Sequence, residues 1–148
     1  MTSLSNAARA TTLERALRAG VQGDRATITE IYTDDVRTWA PGYSTSSVTE
    51  LITEIDRRDD AFSDFEIDVI PLDVGGDFAG AEWRVTMTHT GKLVVRDGAV
   101  IDPTGLRVHL NGVTIAEFRD DRICSLRQYW DELTVFEQLG LLDGGGRA

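Results

Sequence analysis

The chain has 148 residues, 41% hydrophobic and 27% charged, with a formal net charge of −10. That length and balance suit one globular domain with a real core, and the negative charge argues against nucleic-acid and membrane partners, whose phosphates it repels. A single cysteine, Cys124, excludes an intrachain disulfide and fits a reducing compartment. The start lacks a basic-then-apolar pattern and no apolar run nears the ~18 residues of a membrane span, so a cytoplasmic location is expected.

Ala7 to Ala19 is rich in Ala, Leu, Arg and Glu, and Leu13, Ala16 and Leu17 recur at helical spacing, which predicts a helix broken by Gly20 and Gly23. Asp24 reads as the N-cap of a short helix carrying Ile28, Ile31 and Tyr32. Asp34-Asp35 reads as a loop before a brief strand, Val36 to Ala40, stopped by Pro41-Gly42. Ser47 with Glu50 makes a capping box ahead of a third helix striped by Val48, Leu51, Ile52 and Ile55. After Asp60 the period changes to two: Phe65, Ile67 and Val69 alternate with acids, and after the Gly75-Gly76-Asp77 turn so do Trp83, Val85 and Met87 with polar residues. Asp97-Gly98 between two short apolar runs is a two-residue hairpin signal. A long strand from Leu106 to Phe118, the Asp120-Asp121 turn, a strand from Arg122 to Trp130 and a helix from Glu132 to Leu139 ended by Gly140 complete the chain.

Helices first, then strands joined by turns too short for crossovers, then one helix: this order predicts an α+β fold with helices packed on one face of a curved antiparallel sheet. One domain over residues 7–142 is expected, with flexible tails at 1–6 and 143–148.

Pro103-Thr104-Gly105, the long strand, the Asp120-Asp121 turn, Arg127-Gln128-Tyr129-Trp130-Asp131 and Gln138-Leu139-Gly140 resemble the SnoaL-like polyketide cyclase family, of the nuclear-transport-factor-2-like fold. The resemblance runs from about Leu13 to Leu142. It implies a cone whose concave sheet face and helices enclose a pocket, and often a homodimer packed through the sheet. It also implies a catalytic Asp where this chain has Gln128, and Gln and His at the positions of Gly112 and Thr114. An Asn is implied at Thr38. The epoxide-hydrolase relatives imply Arg-x-Asp where Trp83 and Val85 stand, so their Asp-Arg-Asp chemistry is not expected.

On the last strand Cys124, Leu126, Gln128 and Trp130 alternate with Ile123, Ser125, Arg127 and Tyr129, and the first, more apolar set is placed inward. Gln128 is then a lone amide that needs a partner or a ligand, and an amide trades no protons near neutral pH. The expected substrate lining is Trp83, Val85, Met87, Val108, Leu110, Leu126 and Trp130, with Thr38 and Thr114 as polar points and Tyr43 at the mouth. Flat aromatics suit a planar or polycyclic ligand, though the same residues serve equally as packing. His89, expected at the pocket mouth, and Asp131, at its rim or simply capping the last helix, join Gln128 as catalytic candidates; His109 is expected to face outward. Lacking a Gly-rich dinucleotide loop and any His/Cys cluster, the chain is expected to use no metal or redox cofactor.

The functional expectation is a protein acting on a small apolar, polyketide- or terpenoid-like substrate by cyclisation, isomerisation or a related rearrangement. The alternatives are a non-catalytic small-molecule binder and a dimeric interaction module. Val113 and Ile115 beside Arg107 and Glu117 on the outer sheet face predict a homodimer packed through that face.

Overall fold

The structure, a computed structural model, describes residues 4–95 and 98–142. Helix α1 (Asn6–Gln22) is capped by the Ser5 hydroxyl and ends at Gly23, whose φ of 68° closes the last turn. Gly20 therefore does not break it. Nothing crowds that position, and the apolar stripe of Leu13, Ala16 and Leu17 carries the helix past it. Helix α2 (Arg25–Ile31) starts at Asp24, whose carboxylate accepts from the Thr27 N–H. Helix α3 (Val48–Ala61) starts at Ser47, which accepts from the Glu50 N–H, while Glu50 reaches back to the Ser46 N–H.

Among the described residues eight strands follow or interleave: β1 (Tyr32–Ala40), β2 (Tyr43–Thr45), β3 (Phe62–Leu72), β4 (Phe78–His89), β5 (Leu93–Val94), β6 (Val100–Ile101), β7 (Arg107–Arg119) and β8 (Arg122–Trp130). Helix α4 (Glu132–Gln138) closes the chain, with Asp131 accepting from the Leu133 N–H. Among the described residues six strands form one sheet in the order β2-β1-β8-β7-β4-β3, and β5 pairs with β6 in a second, two-stranded one. Asp97 of the Asp97-Gly98 signal lies outside the described residues, as do the tail residues 1–3 and 143–148.

The architecture is α+β with a mixed, largely antiparallel sheet. The expectation of purely antiparallel pairing fails at one place: β1 runs parallel to β8. The two are far apart in sequence, so no short turn constrains their direction. Asp34 and Asp35 belong to β1 rather than to a loop, because Tyr32 already pairs with Ile123 and the irregular stretch lies between Tyr32 and Arg37. Helix α1 packs on β3 and β4, α3 on β1, β2 and β3, and α4 on β7.

The inward set on β8 also needs correction. Glu117 pairs with Ser125 but Phe118 with Ile123, so Cys124 is a bulge residue, with its thiol bonded to the Glu117 carbonyl. One extra residue switches the alternation. Leu126, Gln128 and Trp130 face inward as expected, but the core residue before them is Ile123, fully buried, and not Cys124.

Candidate site on the concave sheet face

Most of the expected lining is core: Trp83, Val85, Met87, Val108 and Leu126 are buried, as are Thr38 and Thr114. Solvent reaches this face at Tyr43, Leu110, Gln128 and Trp130, which are half-buried. Cavities of about 390 Å³, between the start of α1 and the β3–β4 turn, and about 640 Å³, on the outer face around Arg107, lie elsewhere and are not lined by Gln128.

Gly112 explains how the polar groups meet. Its neighbour across the ladder is Trp83, and a Cβ at Gly112 would stand 2.2 Å from the indole. The missing side chain is the seat of the Trp83 ring, which lies across β7. From there the indole N–H donates to Thr114 Oγ1 at 2.9 Å, and the Thr114 hydroxyl donates to Gln128 Oε1 at 3.3 Å. Trp130, directly across Gly112 from β8, meets the Trp83 ring edge-on at 6.1 Å.

The row continues across the sheet. Thr38 pairs with Leu126 in parallel register, which two residues on brings the small Ala40 beside Gln128, and Ala40 pairs with Tyr43. That register sets Tyr43 on the same face as Gln128, with Ala40 between their strands. Tyr43, expected at the mouth, is half-buried at the place where solvent reaches this face, with its hydroxyl below the surface. Burial pushes that hydroxyl up to about 12, the Glu54 carboxylate adds to the rise, and Arg58 and the Gln128 amide oppose it. Thr38 is not a free polar point: its hydroxyl is hydrogen-bonded to that of Thr45.

His89 is not at a mouth either. It is fully buried because the loop before β7 folds over it: the Thr104 N–H donates to Nδ1 at 3.2 Å, and Gly105 and Leu106 bond its backbone. An Nδ1 that accepts leaves the proton of the neutral ring on Nε2, which is buried without a partner. Asp131 is exposed at the start of α4, its carboxylate on the Leu133 N–H. His109 faces outward, its backbone held by the Gln138 side chain.

Thr45 and Glu54 were missed by sequence reasoning. Thr45 lies on a three-residue strand too short to show a period. Glu54 had a signal: it stands three residues after buried Leu51, inside the helix stripe, and its partly buried carboxylate pairs with Arg57 at 3.0 Å. Among the described residues no three His, Cys, Asp or Glu side chains converge as a metal site, and no helix is long and apolar enough to cross a membrane.

The SnoaL-like domain model matches residues 13–126. No curated protein matches the sequence. Solved structures share the fold at low identity. A protein described as a SnoaL-like polyketide cyclase from Jannaschia sp. is 20% identical with a TM-score of 0.79, over 93% of this chain and 96% of that one. TsrD from Streptomyces laurentii is 21% identical with a TM-score of 0.79, over 95% and 100%. An LEH-like epoxide hydrolase from M. tuberculosis is 19% identical with a TM-score of 0.69, over 94% and 89%.

Proposed function

We propose, because this chain belongs to the SnoaL-like family, that its concave face takes a small, largely apolar substrate bearing a carbonyl or hydroxyl oxygen, of polyketide- or terpenoid-like character. The reaction is a cyclisation, isomerisation or related rearrangement that proceeds through an enol. The observation that carries this reading is the hydrogen-bonded row Trp83, Thr114 and Gln128 on a largely apolar face, ending at Gln128 where solvent reaches, with Tyr43 on the same face. Apolar walls with a few convergent polar groups are the usual make-up of a small-molecule site. The protein works as a cytoplasmic homodimer, packed through the exposed Trp39, Ile115 and Tyr129 of the outer face.

One observation favours a second reading, a binding protein that does no chemistry. Gln128 stands where the family resemblance implies an Asp, and no member of the row ionises near neutral pH. α-Tetralone, a bicyclic aromatic ketone, separates the two in D2O. Saturable quenching of tryptophan fluorescence together with faster deuterium uptake beside the carbonyl supports the enzyme. Quenching without faster uptake leaves the binder, and neither result removes the concave face as a ligand site.

A further inference from the structure

Gln128 stands directly across from Thr114 in the β7–β8 register, and Thr114 is fully buried. An indole N–H only donates, so the Thr114 hydroxyl oxygen accepts from Trp83, at 2.9 Å. The hydroxyl proton then needs an acceptor of its own, and Gln128 Oε1 takes it at 3.3 Å. Turning the amide over would set its NH2 against Thr114 and strand that proton below the surface, a costly arrangement. The amide is therefore held one way round, with its oxygen engaged on Thr114 and its NH2 at the other end. Tyr43, on the same face, can take one of the two NH2 protons at most. A donor is left on the half-buried side of Gln128 that solvent reaches.

We infer that this fixed NH2 makes the concave face selective for an acceptor oxygen, so that it takes a carbonyl group in preference to an N–H or a bare hydrocarbon of similar shape. Thr114, held by Trp83, is the positioning residue that sets the preference. This rests on the reading of the concave face as a ligand site and narrows the ligand oxygen of that reading to a carbonyl. A hydroxyl also accepts, but its proton would find no acceptor in an amide whose oxygen is turned away. Gly112 is the structural condition, because a Cβ there would stand 2.2 Å from the Trp83 ring and displace the group that sets the Thr114 hydroxyl. Gln128 thereby has a role that needs no proton transfer.

Three bicyclic probes test it by equilibrium dialysis: α-tetralone, which only accepts, free indole, which only donates, and tetralin, which does neither. The parent should bind α-tetralone about fivefold more tightly than either of the others. The carbonyl stretch of bound 13C-labelled α-tetralone should shift to lower wavenumber. Gln128→Met should bring α-tetralone down to the level of tetralin and abolish the shift. Gln128→Glu replaces the donor with acceptors and should make free indole the preferred probe over α-tetralone. Thr114→Val leaves the amide free to turn over; the α-tetralone-to-indole ratio should fall about threefold with tetralin unchanged, and Thr114→Ser should keep the parent ratio. Equal binding of α-tetralone and tetralin by the parent, or an unaltered ratio in Thr114→Val, overturns the inference and leaves the ligand face standing. Should Thr114→Val not fold, Gln128→Glu decides alone, and a ketone preference that survives the carboxylate overturns the inference. If none of the three probes binds, the ligand site itself is wrong and the inference goes with it.

Discussion

The two faces of the six-stranded sheet are made by the same strands, yet they handle polar groups in opposite ways. On the concave face polar side chains are desolvated and satisfy one another in pairs or chains: Thr38 with Thr45, Trp83 with Thr114, Thr114 with Gln128. On the outer face a charged group collects several weak partners in contact with water, as where Arg107 reaches the Asp64 carbonyl, Thr86 and Thr88. A bond lost on the first face leaves a buried orphan, whereas on the second water replaces it. The faces also differ in what they leave uncovered. The concave face leaves only partly covered side chains, Gln128 and Tyr43 among half-buried Leu110 and Trp130. The outer face exposes whole aromatic rings, Trp39 and Tyr129, each 46% accessible with centroids 5.2 Å apart.

The hardest way to break the contrast is to fill the seat of Trp83. Gly112→Val places atoms where the indole lies, so the ring must leave its pocket and Thr114 loses its donor. We expect a loss of about 3 kcal/mol in urea unfolding, the upper end of overpacking, and disappearance of the near-ultraviolet dichroism of the Trp83–Trp130 pair. A variant as stable as the parent would show that the ring is not held there.

Thr114→Val is smaller in volume change but still acts on a fully buried group. It keeps the shape and strands the indole N–H, so the expected cost is about 2 kcal/mol by the same measurement. Removing a comparable hydroxyl on the outer face, Thr86→Val, should cost under about 0.5 kcal/mol. Equal losses at the two positions would erase the distinction between the faces.

Alkaline pH probes the same burial. Tyr32 and Tyr43 both titrate above the ordinary tyrosine value because burial disfavours the phenolate. Raised folded values mean that this stability is fully present below pH ~10, the unfolded value, and is lost as pH climbs through the folded ones. The urea midpoint should be flat up to about pH 9.5 and then fall, each phenol contributing at most about 1.4 kcal/mol per pH unit. Tyr43→Phe should fall less steeply between pH 10 and about 12. Parallel curves for variant and parent would place the Tyr43 hydroxyl in water.

The period of two makes most of this legible in the sequence. Val85, Met87 and Leu126 are inward because they alternate with polar residues, and Asp24, Ser47 and Asp131 mark their helix starts by local chemistry alone. The failures are places where one residue is out of step. Cys124 is a bulge that moves Ile123 into the core. Asp64, with a φ of 54°, shifts the β3 register so that Glu66 pairs with Thr86. The site was half legible for a related reason. Which way Gln128 and Thr114 point follows from their own strands, but the bond from Trp83 depends on what Gly112 lacks, on a different strand. Glu54 was hidden because a charged residue in a helix stripe reads as solvated unless its neighbours across the fold are known.

The smallest effect on the single chain should fall on the outer aromatic pair, and this sharpens the comparison most. Trp39 and Tyr129 contact each other and are each 46% exposed, so Trp39→Ser with Tyr129→Ser removes partly solvated rings rather than core packing. The cost to unfolding of the isolated chain should stay within about 1 kcal/mol. If the pair is instead the centre of a homodimer, the same change removes the aromatic anchors that dominate interfaces. Sedimentation at micromolar concentration should then show dimer for the parent and monomer for the double variant, while α-tetralone binding to the concave face stays unchanged. A parent that sediments as a monomer would mean that the outer face is covered by something other than a second copy. A double variant that stays dimeric would place the contact elsewhere on the sheet. The outcome matters for the concave face too, since a dimer held through the opposite side leaves both ligand faces open to solvent.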